Sequence, residues 1–568
     1  MRPAPRVATL LTLTLTSALA PTARADDPIR ALQADYVAHA KEKAPRAYHF
    51  GSQGPGDVFS NHATHSNRLI PIYAFGSKVD LGAVTGSRSI YRDADRLRKL
   101  YGFLPENTVN PDADYADQSD LYRVQAEAVA RGVRHLFIVW FDGMDWEATR
   151  AAAVAKSGKV YDAGRGAGLA FQGDKAGRPA QFGYYATSPT HDWKATDVDN
   201  QRPPIWLAGG YDARIAGPNP WTLGPLGPAA PGYLRGLDAT EAERKAIRAA
   251  GRVLHPYTDS APSAGEFATG VKSYNHGINV GEDGKAEPTL FNQLQEQQGW
   301  KVGTVTSVPF DHASPAAFYA HNVFRDDYQD LGRDMLGLPG IAREKLKDPA
   351  HPGLDVVLGA GFGHEAKPED LTKQGKNAAK GNLFLADEDR KAIDADHGGK
   401  YVVAARTPGV GGREGLEAAA GRAARDGKRL FGFYGGGEAK DHLPYRTADG
   451  NYDPAAGLRG KAEVYIPADR AENPTLADMT AAALTVLAAE PGKPFALFVE
   501  AGDVDFALHD NNLDNAIGAI LSGDEAVKVV FDWVEAHSNW DDSAVIVTAD
   551  HGHYLVLDDP KALAGHAR

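Results

Sequence analysis

Cysteine is absent from this 568-residue chain. Its absence excludes disulfides, thiolate metal ligands and a lipid carried on cysteine. Stability must therefore come from a packed core, and a chain of this length is ample for one. Beyond the first 25 residues no uninterrupted apolar run approaches the roughly 18 residues of a spanning helix, so no membrane span is expected. A basic surplus is missing too, since Lys and Arg number 61 against 74 Asp and Glu, for a net charge of −13. Binders of nucleic acid present a basic face, and no such patch is expected here.

The chain opens with an arginine-containing start, a Leu-Thr-Leu-Thr stretch and Ala23-Arg-Ala25. This pattern predicts a cleaved secretory signal over residues 1–25 and a periplasmic or secreted mature protein. Residues 26–130 read as an N-terminal extension packed on the core, with helices predicted over Ile29–Ala44 and Leu121–Arg131. Within it Asn61-His-Ala-Thr-His65 carries two histidines three apart, a spacing that would place both on one face of a helix for binding metal, though a surface loop is the ordinary account. Residues 131–568 read as the domain that carries the chemistry. Its Gly- and Pro-rich insertion, residues 158–254, predicts a loop excursion with one short helix at Thr240–Ala250. The aromatics of that insertion, Phe182, Tyr184, Tyr185, Trp193, Trp206 and Trp221, are expected to pack it onto the body.

Four segments read as buried strands ending in metal-ligand residue types. Leu136–Phe141 runs into Asp142, and Val302–Thr306 runs on to Asp311, His312 and Ser314. Phe495–Val499 runs into Glu500, Asp505 and His509, and Ala544–Thr548 into Asp550 and His551. Continuous apolar strands suit a sheet covered on both faces, so the expected fold is α/β with a mostly parallel central sheet sandwiched by helices. Ligands bind such sheets at the carboxyl ends of the strands. Further elements are predicted at Asp355–Leu358 and Leu430–Tyr434 as strands, and at Gly411–Arg425, Pro474–Ala489 and Asp524–Ser538 as helices.

Ser260 lies in Thr258-Asp-Ser-Ala-Pro-Ser-Ala-Gly-Glu-Phe-Ala-Thr-Gly270, where a cap is followed by small residues and helix formers. A serine in the first turn sits among unpaired N–H groups at the positive end of the helix dipole, where a phosphoryl group is also held. Four carboxylates gathered at one sheet edge would repel an anionic substrate, each pair at 4 Å costing about 4 kcal/mol at an effective dielectric of 20. Bound cations would make that cluster useful.

These segments resemble the alkaline phosphatase family. The resemblance rests on Asp259-Ser-Ala with Ala268–Asn275, Asp142-Gly-Met, His312–Phe318 followed by Arg325, Glu500 through Asp505 to His509, and Thr548–His553. It covers residues 133–158 and 255–560 in pieces. The implied activity is an exported, metal-dependent hydrolysis of phosphate monoesters through a phosphoserine at Ser260, on small phosphorylated substrates, and the resemblance allows a homodimer. By the same resemblance Asp142, Asp550 and His551 hold a zinc contacting Ser260, and Asp505 and His509 hold a second zinc. A magnesium would use Asp142, Ser314 and Glu500, with His312 beside it. Arg325 would bind phosphoryl oxygens, oriented by Asp259.

The sequence departs from the family at its end, because it has no His-Thr-Gly segment to supply a further histidine to the second zinc. Either the sequence is truncated, or another group completes the site. His566 and His553 are the candidates, with His553 better suited to a role behind the ligands. Two alternatives follow: a phosphodiesterase or sulfatase-like member of the superfamily, or a metal- and phosphate-binding member with impaired turnover.

Overall fold

The computed structural model describes residues 27–39, 65–66, 68–105, 107–175, 180–191, 197–203, 209–211, 258–347, 351–436, 441–458, 461–553, 555, 557 and 559–564. Among these, ten strands form one sheet, in the order β3-β5-β2-β11-β4-β10-β6-β7-β9-β8. In chain order they are β2 (Ile70–Phe75), β3 (Ala116–Asp117), β4 (His135–Phe141), β5 (Gln181–Ala186), β6 (Lys301–Pro309), β7 (Val356–Ala360), β8 (Tyr401–Ala405), β9 (Arg429–Phe433), β10 (Phe495–Ala501) and β11 (Ser543–Thr548). A separate ladder pairs β1 (His65–Ser66) with β12 (Gly552–His553). Only β2 runs against both of its neighbours, β11 and β5, and the other pairings are parallel. The expected mostly parallel α/β sheet is what forms.

Side chains alternate across the sheet, and the central strands bury both sets. On one face Trp140 meets Phe267 of the Ser260–Thr269 helix edge-on at 5.0 Å, and Phe318 stacks on Phe498 at 4.1 Å. On the other, Phe141 meets Phe171 at 5.4 Å and lies under the long helix Leu513–His537. Burying an aromatic of this kind contributes about 2 to 3 kcal/mol.

That long helix starts earlier than the pattern predicted. Gly518 and Gly523 hide its first half from sequence reading, because glycine weakens a helix. Both are required by close approach: a Cβ on Gly523 would stand 2.3 Å from the Phe141 ring, and one on Gly518 would collide with the Arg446 carbonyl. Asn512 caps the helix by accepting the Asn515 N–H at 3.1 Å.

The insertion is also more regular than expected. Its segment Gln181–Ala186 is a sheet strand against β2, so Phe182 and Tyr184 extend the sheet edge instead of an irregular loop. Trp193, Trp206, Trp221 and Thr240–Ala250 lie outside the described residues, as do residues 1–25. The extension contributes β2 and β3 to the sheet, and its first helix, Pro28–His39, packs on the long helix through Gln33, whose Nε2 donates to the Asn511 carbonyl at 3.0 Å. No helix among the described residues is long and apolar enough to cross a membrane.

Candidate active site and metal centre

The parallel strands deliver their polar ends to one edge. Asp142 follows β4 and Glu500 is the penultimate residue of β10. Asp505 and His509 share the helix Asp503–His509, and Asp550 and His551 follow β11. Over them sits the N-terminus of the helix Ser260–Thr269, capped by Asp259, whose Oδ1 accepts the Ala261 N–H at 2.8 Å. Ser260 Oγ lies 3.5 Å from Asp142 Oδ1 and 3.3 Å from His551 Nε2, and Arg325 Nη1 donates to Asp259 Oδ1 at 3.2 Å.

Two groups of ligand-type atoms stand out, each with its members within 4.8 Å of one another: Asp142, Asp550 and His551, and His65, Asp505, His509 and His553. In the first, His551 Nε2 is 3.4 Å from Asp142 and 3.2 Å from Asp550. In the second, Asp505 Oδ1 is 2.9 Å from His553 Nε2 and 3.2 Å from His509 Nε2. The His65 Nε2 lies 3.1 Å from that of His509.

Glu500 belongs to neither group. Its carboxylate accepts the Thr306 hydroxyl in the buried layer between them. The His312 ring stacks on Tyr328 and meets Phe506 edge-on, and it feels the charges of both Asp505 and Arg325. Asp311, the residue before it, is turned inward toward Gly332, away from the site.

The electrostatics test whether cations fit. Burial pushes Asp142 well above the ordinary carboxylate range, and Asp550, Asp505 and Glu500 push it further. Burial, with Asp550, likewise pushes Glu500 up to about 8. Burial also acts on Asp505, but His509 and His553 hold it well below. Burial and neighbouring histidines keep His65 well below its usual value and His553 at about 4, so both rings are neutral, as ligands must be. Buried Asp550 Oδ2, Glu500 Oε1 and Ser314 Oγ lack hydrogen-bond partners among the described residues. Orphaned acceptors among carboxylates that resist ionising are a donor set suited to divalent cations: mixed N and O donors for zinc, oxygens alone for magnesium.

On the phosphate side, burial works against the Asp259 charge, but His276 and Arg325 hold its carboxyl below the usual range. The His276 N–H also donates to Asp259 Oδ2 at 2.7 Å. His276 immediately follows the quoted Ala268–Asn275 motif and was not anticipated. Neither was His65, which the loop account had set aside. His62 and His566 lie outside the described residues.

A profile described as alkaline phosphatase matches residues 247–562. The chain is similar to streptomycin-6-phosphate phosphatase of Streptomyces griseus, 28% identical over 359 residues that span 60% of this chain and 71% of that one. Alkaline phosphatase H of Pseudomonas aeruginosa (strain UCBPP-PA14) is 30% identical over 59% of this chain and 66% of its own. Alkaline phosphatase of Escherichia coli (strain K12) is 30% identical over 54% of this chain and 60% of its own. Among solved structures, an alkaline phosphatase of Thermus thermophilus is 21% identical with a TM-score of 0.40, over 74% of this chain and 60% of that one.

Proposed function

Because this chain belongs to the alkaline phosphatase family, we propose that it hydrolyses phosphate monoesters of small molecules, with Ser260 accepting the phosphoryl group. The observation that carries this reading is the placement of Ser260 Oγ, within 3.5 Å of both Asp142 and His551 at a helix N-terminus. The positive end of that helix and the Arg325 fork, tied to Asp259, suit the oxygens of a phosphoryl group.

Asp142, Asp550 and His551 would hold one zinc beside Ser260, Asp505 and His509 would anchor a second, and Asp142, Ser314 and Glu500 would hold a magnesium. When bound, such ions supply a lowered serine pKa, charge neutralisation at the phosphoryl group and stabilisation of the leaving oxygen. The chain's own work is positional. The helix start fixes Ser260 Oγ, Arg325 holds the phosphoryl oxygens in line with it, and Asp259 keeps Arg325 from swinging away. A Ser260 hydroxyl that attacks phosphorus forms a phosphoserine and releases the alcohol; water then attacks the phosphoserine and frees inorganic phosphate.

The ring of four ligand-type residues about Asp505 favours turnover over simple phosphate binding. The arginine-led apolar start supports export to the periplasm or medium. The test is hydrolysis of p-nitrophenyl phosphate against its bis ester. The monoester should be the better substrate, and Ser260→Ala should abolish turnover. A higher kcat/KM on the diester, or hydrolysis surviving Ser260→Ala, would sink this reading.

A further inference from the structure

We propose that His65, from the N-terminal extension, is the third protein ligand of the second cation site, and that His553 orients Asp505 from behind without binding the ion. The proposal rests on the metal-dependent reading above and assigns its incomplete site.

Four observations carry it. The His65 Nδ1 faces the Thr258 carbonyl at 3.0 Å, a contact that requires a proton on Nδ1 and leaves the Nε2 lone pair as the donor to a metal. That pairing with a backbone carbonyl is the usual device by which a ligating histidine is oriented. The His65 Nε2 is 3.1 Å from the His509 Nε2 and 3.9 Å from Asp505 Oδ1, so one ion can be shared by all three. Its ring stacks on that of His551 at 3.8 Å, with 24° between the planes, which sets it against the first cation group. Finally, the backbone is held in place by the β1–β12 ladder, where His65 pairs with His553 and Ser66 with Gly552.

Geometry separates the two histidines. The His553 Nε2 is in hydrogen-bond contact with Asp505 at 2.9 Å, and a Cβ on Gly143 would stand only 2.7 Å from it. The nitrogen is thus held between the Gly143 backbone and the Asp505 carboxylate, closer to that carboxylate than the Nε2 of His509 or His65. Three protein ligands also leave a fourth zinc position for a substrate oxygen, whereas adding His553 would close the site.

The test uses the full chain loaded with zinc, and reads bound zinc per protein and its affinity by chelator competition, together with the visible spectrum of the cobalt-substituted protein. His65→Ala should lose zinc from one site, or bind it at least about 100-fold more weakly, with altered cobalt bands. His553→Gln should weaken it by about 10- to 100-fold, with the cobalt bands kept. For His65→Gly, added imidazole should restore zinc and the native spectrum, a rescue that a merely misfolded variant cannot show. If His65→Ala keeps wild-type affinity and spectrum while Asp505→Asn loses the metal, the His65 assignment falls and the phosphatase reading stands. If wild-type protein takes up no zinc, or Asp505→Asn binds it as wild type does, the metal reading falls and takes this assignment with it.

Discussion

Arg325 Nη1 rests 3.2 Å from Asp259 Oδ1, the same oxygen that accepts the Ala261 N–H and caps the Ser260 helix. The proposed nucleophile, Ser260, and the proposed phosphate clamp, Arg325, are therefore both positioned by one carboxylate. Arg325→Lys keeps the charge but loses the fork. It should raise KM for p-nitrophenyl phosphate about tenfold, equivalent to about 1.4 kcal/mol, and weaken inhibition by inorganic phosphate to the same degree. An unchanged phosphate inhibition constant would count against the clamp.

Removing metal should make stability depend on pH. Burial, with neighbouring carboxylates, raises Asp142 well above its usual range and Glu500 to about 8. The unfolded chain releases these protons near pH 4, so between about pH 4 and 8 the folded metal-free state binds more of them and stability falls as pH rises. Buried His65 and His553, held low, act the other way below about pH 6.5, so melting temperatures of chelator-treated protein should decline from about pH 6.5 to pH 8, and zinc should flatten that decline. A flat profile without metal would contradict the clustering of charge.

His442 should give a signature of the same sign at higher pH. Burial pushes its ring down, but Glu463, 2.9 Å from Nε2, raises it to about 9, and Nδ1 faces the Leu443 carbonyl at 2.7 Å. With its folded pKa above the unfolded value near 6.5, the pair's stabilisation is complete below that pH and disappears as pH rises through about 9. His442→Gln should therefore melt several degrees lower than wild type at pH 6, with the gap closing by pH 10. A gap independent of pH would mean packing, not charge, is lost.

Lys272 is buried between Asp117 at 2.9 Å and Glu266 at 2.8 Å, and donates to the Ser188 carbonyl at 2.9 Å. Glu266 lies on the Ser260 helix, so this ion network fastens the extension to the nucleophile's own element. Lys272→Met would strand two buried carboxylates and should cost about 3 to 5 kcal/mol in urea unfolding. Adding Glu266→Gln should recover part of that loss. Additive losses in the double variant would show that the three groups do not act as a unit.

Continuous apolar runs made β4, β6, β10 and β11 legible, because a strand buried on both faces leaves no polar alternation to confuse with a helix. Their polar ends followed, and with them Asp142, Asp505, His509, Asp550 and His551. Ser260 was legible as a cap pattern. β2 and β5 were not, since β2 is short and carries Pro71, and β5 lies within Gly- and Pro-rich sequence. His65 was the larger omission. Its segment has only a two-residue ladder, and its partner stands near the other end of the sequence, so no local period reports it. The absence of a His-Thr-Gly segment directed attention to His566 and His553, both near that end of the sequence, and not to His65. His312 was placed by motif order, yet its aromatic neighbours, Tyr328 and Phe506, depend on tertiary packing.

The β1–β12 pairing joins residues near opposite ends of the polypeptide, closing a loop that contains nearly every other element. Such closure carries a large loop-entropy cost, and the ladder is short, so it gains little until the sheet exists to hold both ends. The central strands β4, β10, β6 and β11 can thus be buried before His65 meets His553. The protein would acquire its shape first and its full complement of liganding side chains last, which puts metal capture at the end of maturation.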